Sequence, residues 1–198
     1  TNIVGTANIL QASQSNGIKT LIFSSSSAVY GNKIGSCTEE DTTNPESPYA
    51  KSKLAGEELV KKFSTNINTA SLRYFNVYGE RQNENGPYAA VVAKFKNMLQ
   101  TNEAITIYGD GKQTRDFIDV SEVVNANLLV GSQSNLNGDI FNVGSGKSIS
   151  LLDLLESLKT NTNNHEHKII FEPARPGDIK HSQANCKKYF HLKTQFQS

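Results

Sequence analysis

Apolar positions along this chain alternate between two spacings. Short, nearly continuous apolar runs at 20–24, 69–74, 105–108, 140–143 and 168–171 predict buried strands. Between them, apolar residues recur three and four apart, which predicts helices at 1 to about 16, 48 to about 64, 87–100, 121 to about 130 and 150–159. In the first helix Ile3, Ala7, Leu10 and Gln11 share a face, and Gly17 stands just past its end. Ser47 can cap the second helix and Pro48 suits its first turn. Leu54, Leu59 and Phe63 are that helix's expected packing residues. Residues 31–46 and 161–164 read as polar loops, and the chain has no internal repeat. Regular strand-helix alternation predicts an α/β fold with a mainly parallel sheet.

Composition narrows the picture. At 198 residues the chain allows one large domain or a domain and a half. A net charge of +1 gives no electrostatic case for nucleic acid or an acidic membrane surface as partner. No run is long and apolar enough to span a bilayer, and the first residues form no signal segment. Cys37 and Cys186, far apart in sequence, suit reduced thiols in a cytoplasmic protein rather than a disulfide framework. His165 and His167 flank Glu166 without a helical ligand spacing, so no metal site is expected.

The chemistry concentrates in two segments. Phe23-Ser24-Ser25-Ser26-Ser27-Ala28-Val29-Tyr30-Gly31 ends a strand in hydroxyls, and Tyr49-Ala50-Lys51-Ser52-Lys53 opens a helix. A spacing of four puts Tyr49 and Lys53 on one helical face. A lysine held there stabilises a phenolate and fits the tyrosine to act as a general base. On the residues alone, the serines could equally end a strand and cap a turn, and the Tyr-Lys pair could be a solvated surface pair.

These segments resemble the extended short-chain dehydrogenase/reductase family, the nucleotide-sugar epimerases and dehydratases. The resemblance continues in Ser71-Leu72-Arg73-Tyr74-Phe75-Asn76-Val77-Tyr78-Gly79 and in Tyr108-Gly109-Asp110-Gly111-Lys112-Gln113-Thr114-Arg115-Asp116-Phe117-Ile118. Phe141-Asn142-Val143-Gly144-Ser145-Gly146 and Arg175-Pro176-Gly177-Asp178 complete it. It implies a partial doubly wound, Rossmann-like parallel sheet lacking its N-terminal half, with a smaller α/β substrate-binding lobe. Residues 1–80 would be the C-terminal part of the NAD-binding domain, and 81–198 mainly the nucleotide-sugar lobe, with some segments returning to the sheet. It implies NAD as cofactor, a UDP-sugar as substrate and a homodimer for the complete protein. Ser26, Tyr49 and Lys53 are the implied catalytic residues. Ser24, Ser26, Tyr49, Lys53, Tyr74 and Phe75 are the implied cofactor contacts. For the substrate they are Ser27, Asn76, Ala90, Val91, Tyr108, Arg115, Arg175, Asp178 and Ser182. Tyr108 could line the uracil or be a strand-end core aromatic. His181 is either structural or beside the substrate. Arg73 and Arg81 read as surface salt-bridge residues. No glycine-rich pyrophosphate turn opens a βαβ unit: Gly109-x-Gly111 and Gly144-x-Gly146 lie far downstream. The chain therefore reads as an internal fragment, with that turn expected upstream.

Dehydratases of the family follow the serine or threonine with Asp-Glu; here Ser27 and Ala28 stand there, which points to simple epimerisation at carbon 4 through a 4-keto intermediate. Tyr49 would take the 4-hydroxyl proton, Lys53 would tune it and bind the nicotinamide ribose, and Ser26 would hold the oxygen. A small Ser182, where a tyrosine would fill the space beside the sugar, points to UDP-N-acetylglucosamine and UDP-N-acetylgalactosamine. An inactive remnant lacking the NAD-phosphate site, a UDP-glucuronate 4-epimerase and a 4,6-dehydratase are the alternative readings.

Overall fold

The computed structural model describes residues 1–83, 91–159, 167–174 and 178–196. Along the chain come α1 (Asn2–Ser15), β1 (Thr20–Ser26), a single 3-10 turn (Ser27–Tyr30), α2 (Pro48–Phe63) and β2 (Asn68–Tyr74). Then follow β3 (Asn76–Tyr78), α3 (Val91–Thr101), β4 (Ile105–Tyr108), β5 (Thr114–Arg115), β6 (Phe117–Asp119) and α4 (Val120–Gly131). The last described elements are β7 (Asp139–Val143), β8 (Ile149–Ser150), α5 (Leu151–Lys159), β9 (Ile169–Glu172) and α6 (Lys187–Phe196).

The centre is a parallel sheet in the order β1-β2-β7. Its register sets Ser26 opposite Tyr74, and Tyr74 opposite Val143, so the three strands end at one level. In an open α/β sheet that carboxyl edge is where ligands bind. Smaller pairs, β3 with β6, β4 with β9 and β5 with β8, extend beyond it.

The two faces of the central sheet differ. Ala70, Leu72, Phe141 and Val143 join Val123, Ala126 and Val130 of α4 and Tyr189 of α6 in an apolar core. The face under α2 carries polar residues beside the Phe23 ring: Ser25, Thr69, Ser71 and Arg73 are all buried there by strand alternation. Thr69 Oγ1 donates to the Val60 carbonyl at 3.0 Å. Gly56 lets α2 approach closely, since a Cβ there would stand 2.3 Å from the Phe23 ring. A second core, from Phe95 and Leu99 of α3, Ile105 and Ile107 of β4 and Leu154 and Leu155 of α5, supports the region beyond the sheet.

Several expectations change. β1 runs two residues further than expected, through Ser26, because the serines still pair with β2. In α1 only Leu10 is fully buried, whereas Ile3 and Gln11 are exposed, because α1 lies chiefly against α2 rather than on the sheet. In α2 the fully buried residues are Ala50, Gly56, Glu57 and Val60, while Leu54, Leu59 and Phe63 are half-buried. Leu54 packs against the cluster of Val29, Tyr30 and Phe75, and the positions nearest the sheet are Gly56, against the Phe23 ring, and Glu57, on Arg73. Strands of two or three residues are too short to show a period, so β3, β5, β6 and β8 were not legible. Neither was α6, which fully buries only Tyr189. The expected start of the third helix at 87 and the loop at 161–164 lie outside the described residues. Among the described residues, no helix is long and apolar enough to cross a membrane.

Candidate active site

Ser26 ends β1 and caps the 3-10 turn, its Oγ accepting the Ala28 N–H at 3.2 Å. Gly31 follows with φ +67°, where a Cβ would collide with the Asn44 carbonyl at 2.2 Å. The polar loop returns to Ser47, whose side chain accepts from Ala50 N and starts α2. This places Tyr49 and Lys53 one turn apart beside the carboxyl end of β1. Lys53 Nζ donates to the Ser24 carbonyl at 2.7 Å. It lies 5.3 Å from the centre of the Phe23 ring and 5.7 Å from that of Tyr49. Burial lowers the Lys53 pKa from its ordinary value. Tyr49 itself is half-exposed. Lys53, Tyr49 and the strand end that carries Ser26 are thus brought together; Ser27, half-buried, begins the turn.

The other implied cofactor contacts lie at the same edge but differ in setting. Ser24 Oγ is 3.2 Å from Tyr74 Oη, and Tyr74 donates to Asn127 Oδ1 at 3.0 Å. The Phe75 ring is buried among Val29, Tyr30 and Cys37. The next residue, Asn76, donates through its backbone N–H to the Asp116 carbonyl at 2.9 Å, which opens β3.

A cleft of about 360 Å³ lies beyond this edge, lined by Asn76, Val91, Lys94, Tyr108, Arg115 and Asp178. A neighbouring hollow of about 530 Å³ shares Tyr108, Gln113 and Asp178 and adds His181. Arg115 Nη2 meets Asp178 Oδ1 at 2.6 Å. Burial pushes the Arg115 pKa down, and Asp178 offsets part of that. Ser182 N–H donates to the Thr114 carbonyl at 3.1 Å, so Ser182 lies next to Arg115 across a short pairing. Ala90 and Arg175 lie outside the described residues. Among the described residues no group of histidines, cysteines and carboxylates is placed to hold a metal.

One reading is overturned. Arg73 is not a surface residue: its side chain is only 3% exposed and forks onto buried Glu57, Nε to Oε1 at 2.9 Å and Nη2 to Oε2 at 2.7 Å. Burial opposes its charge, but Glu57 outweighs burial, so the guanidinium pKa lies above its ordinary value. Arg81 is exposed and forms no ion pair among the described residues. Sequence reasoning also missed Asp116, fully buried, whose carboxylate accepts the backbone N–H groups of Ser145, Gly146 and Ala184 at 2.7–3.0 Å. Its position directly after Arg115 was the available signal.

A parallel sheet with a hydroxyl-bearing strand end, a Tyr-x-x-x-Lys helix beside it and an arginine-lined cleft beyond its carboxyl edge defines a short-chain dehydrogenase/reductase-type protein of the extended class. The chain belongs to the NAD dependent epimerase/dehydratase family, whose model matches residues 1–144. It is similar to the UDP-glucose 4-epimerase of Mycolicibacterium smegmatis, 34% identical over 92% of this chain and 58% of that protein. Among solved structures it is similar to the UDP-N-acetylglucosamine 4-epimerase of Methanobrevibacter ruminantium in complex with UDP-N-acetylmuramic acid. That match has 39% identity and a TM-score of 0.91 and covers 96% of this chain and 62% of the other. The UDP-glucose 4-epimerase of Thermotoga maritima with UDP-glucose matches at 34% identity and a TM-score of 0.90, over 98% of this chain and 63% of its own. The chain spans about three-fifths of the length of the curated relatives it matches.

Proposed function

We propose that the whole protein interconverts the carbon-4 epimers of a UDP-hexose, with UDP-N-acetylglucosamine and UDP-N-acetylgalactosamine as its pair. The observation that carries this is the Lys53 ammonium held on the Ser24 carbonyl, one turn from Tyr49, at the carboxyl end of β1. A cation, a phenol and the Ser26 hydroxyl at one strand end suit the nicotinamide-ribose end of NAD. Bound there, NAD supplies a hydride acceptor and afterwards a hydride donor for carbon 4.

Tyr49 accepts the 4-hydroxyl proton as general base and later returns it. Lys53 sets a positive charge beside the phenol oxygen and binds the nicotinamide ribose. The Ser26 hydroxyl hydrogen-bonds the substrate oxygen as its charge changes. Ser24, Tyr74 and Phe75 complete the cofactor side, and Ser27 and Asn76 face the sugar. Arg115 and Arg175 supply forked donors to the diphosphate. Asp178 holds the ribose, Ala90, Val91 and Tyr108 line the base, and Ser182 leaves room for an acetamido group. Ala28 provides no acid or base for eliminating water. In this arrangement 1–80 carries the reacting groups and 81–198 mainly the nucleotide-sugar contacts. The buried, unpaired cysteines suit a reducing cytoplasm, and the whole protein acts as a homodimer.

The test is a coupled epimerisation assay of the full-length protein with NAD and each sugar nucleotide. Turnover of UDP-N-acetylglucosamine is expected, and Tyr49→Phe should lower kcat by about 10²–10⁴-fold. Ser182→Tyr should cut the N-acetylated reaction and spare UDP-glucose; an equal fall in both removes the N-acetyl assignment. UDP binding by calorimetry with no epimerisation in that assay would overturn the epimerase reading.

A further inference from the structure

Glu57 lies one helical turn beyond Lys53 and two beyond Tyr49 on α2. The fully buried positions of that helix are Ala50, Gly56, Glu57 and Val60. Two of them carry little or no side chain, one is charged, and one is a branched aliphatic. Opposite them the sheet presents the buried polar residues Ser25, Thr69, Ser71 and Arg73, with the Phe23 ring against Gly56. The Phe23 ring limits how closely α2 approaches at Gly56, and directional bonds at Glu57 add a constraint on its height and roll.

Glu57 supplies what packing does not. Its two oxygens take the Nε and Nη2 donors of Arg73 at 2.9 and 2.7 Å. The Ser25 hydroxyl donates to the same carboxylate. Arg73 in turn lies 4.7 Å from the centre of the Tyr30 ring, and Tyr30 donates to Asn142 Oδ1 at 2.7 Å. Ser25 precedes Ser26, and Tyr30 closes the turn that Ser26 caps. One carboxylate therefore ties the strand end bearing Ser26, the neighbouring strand β2 and the helix bearing Tyr49 and Lys53.

We propose that Glu57 and Arg73 form a positioning pair that sets the height and roll of α2 against β1, and so places Tyr49 and Lys53 relative to Ser26. The catalytic consequence rests on the epimerase reading; the geometric one does not. A forked pair constrains two distances and a plane, and sliding the helix by ~1 Å breaks both bonds. Buried ion pairs contribute little net stability over apolar replacements of similar size, and fixing register is their best-attested use.

The decisive variant is Glu57→Leu combined with Arg73→Met, which fills the space without charge. It is compared with the unaltered protein by thermal midpoint and by the side-chain resonance of Lys53 in carbon-13-lysine-labelled protein, assigned through Lys53→Arg. In the unaltered protein that resonance should stand apart from those of solvated lysines, because Lys53 lies against the Phe23 and Tyr49 rings. The double variant should keep its midpoint while the Lys53 resonance moves to the solvated position. In full-length protein with NAD and a UDP-hexose, its kcat should fall about 10–100-fold with KM unchanged. A stable double variant that keeps the displaced resonance overturns the proposal. If the double variant does not fold, Arg73→Lys decides, since it keeps the charge and loses the fork. An unmoved Lys53 resonance there is equally fatal. Should the unaltered full-length protein fail to epimerise, the epimerase reading falls, and the resonance still decides the positioning role.

Discussion

At the scale of single residues, burial sets most of the unusual chemistry. Cys186 is buried, and burial raises its pKa to about 12; its thiol donates to the Gly144 carbonyl at 3.4 Å, a bond that only the protonated form can make. The folded state therefore resists a thiolate that the unfolded chain forms from about pH 9 upward. The stability contributed by the neutral thiol is complete below pH 9 and is lost as pH rises toward 12, by roughly 4 kcal/mol over the whole window. Urea unfolding midpoints should fall steeply between pH 9 and 11, and Cys186→Ala should flatten that slope even though it lowers stability at neutral pH. Equal slopes in the two proteins would assign the alkaline loss to other groups. At this scale the sequence was legible where a motif carries its own geometry. The four-residue spacing of Tyr49 and Lys53 dictated a shared helical face, and the serine run dictated a strand end. Arg73 was not legible, because an arginine in a strand says nothing of a buried carboxylate sixteen residues away.

At the scale of elements, α2 decides whether the site is assembled. Ser47 caps it through Ala50 N, and Ser47→Ala should cost about 1 kcal/mol in a denaturant titration. Gly56 is the tighter constraint. A valine there would meet the Phe23 ring, cannot relax by backbone rotation inside a helix, and should cost about 1–3 kcal/mol. Shortening the partner with Phe23→Ala should restore much of that loss, and a strictly additive double variant would show that the two residues do not press on each other. The long elements were legible because their hydrophobic periods run over enough residues to register. Of the expected packing residues of α2, Leu54 packs against the cluster of Val29, Tyr30 and Phe75, while Leu59 and Phe63 are half-buried. Gly56 faces the Phe23 ring and Glu57 faces Arg73, so the closest approach to the sheet falls to a glycine and a charged residue.

At the scale of the whole molecule, apolar surface remains uncovered in the described residues. Ile3, Val4 and Ile9 on α1 and Val124 and Leu128 on α4 are each about half or more exposed, and β1 has a strand partner on one side. Exposed apolar patches and open strand edges promote association. The 198-residue chain by itself should therefore show a mass that rises with concentration in light scattering, and a mass constant across a dilution series would show that these patches do not drive association. The two-faced central sheet has a further consequence, for how the protein drifts under substitution. On the α4 side many interchangeable aliphatic contacts share the work, so one replacement shifts stability by degrees and another can make it good. On the α2 side a few directional bonds converge on Glu57, and no single neighbour can replace any of them. A saturation library should thus score as a slope on one face and as a cliff on the other, with the tolerant and intolerant positions alternating along β2 one residue at a time.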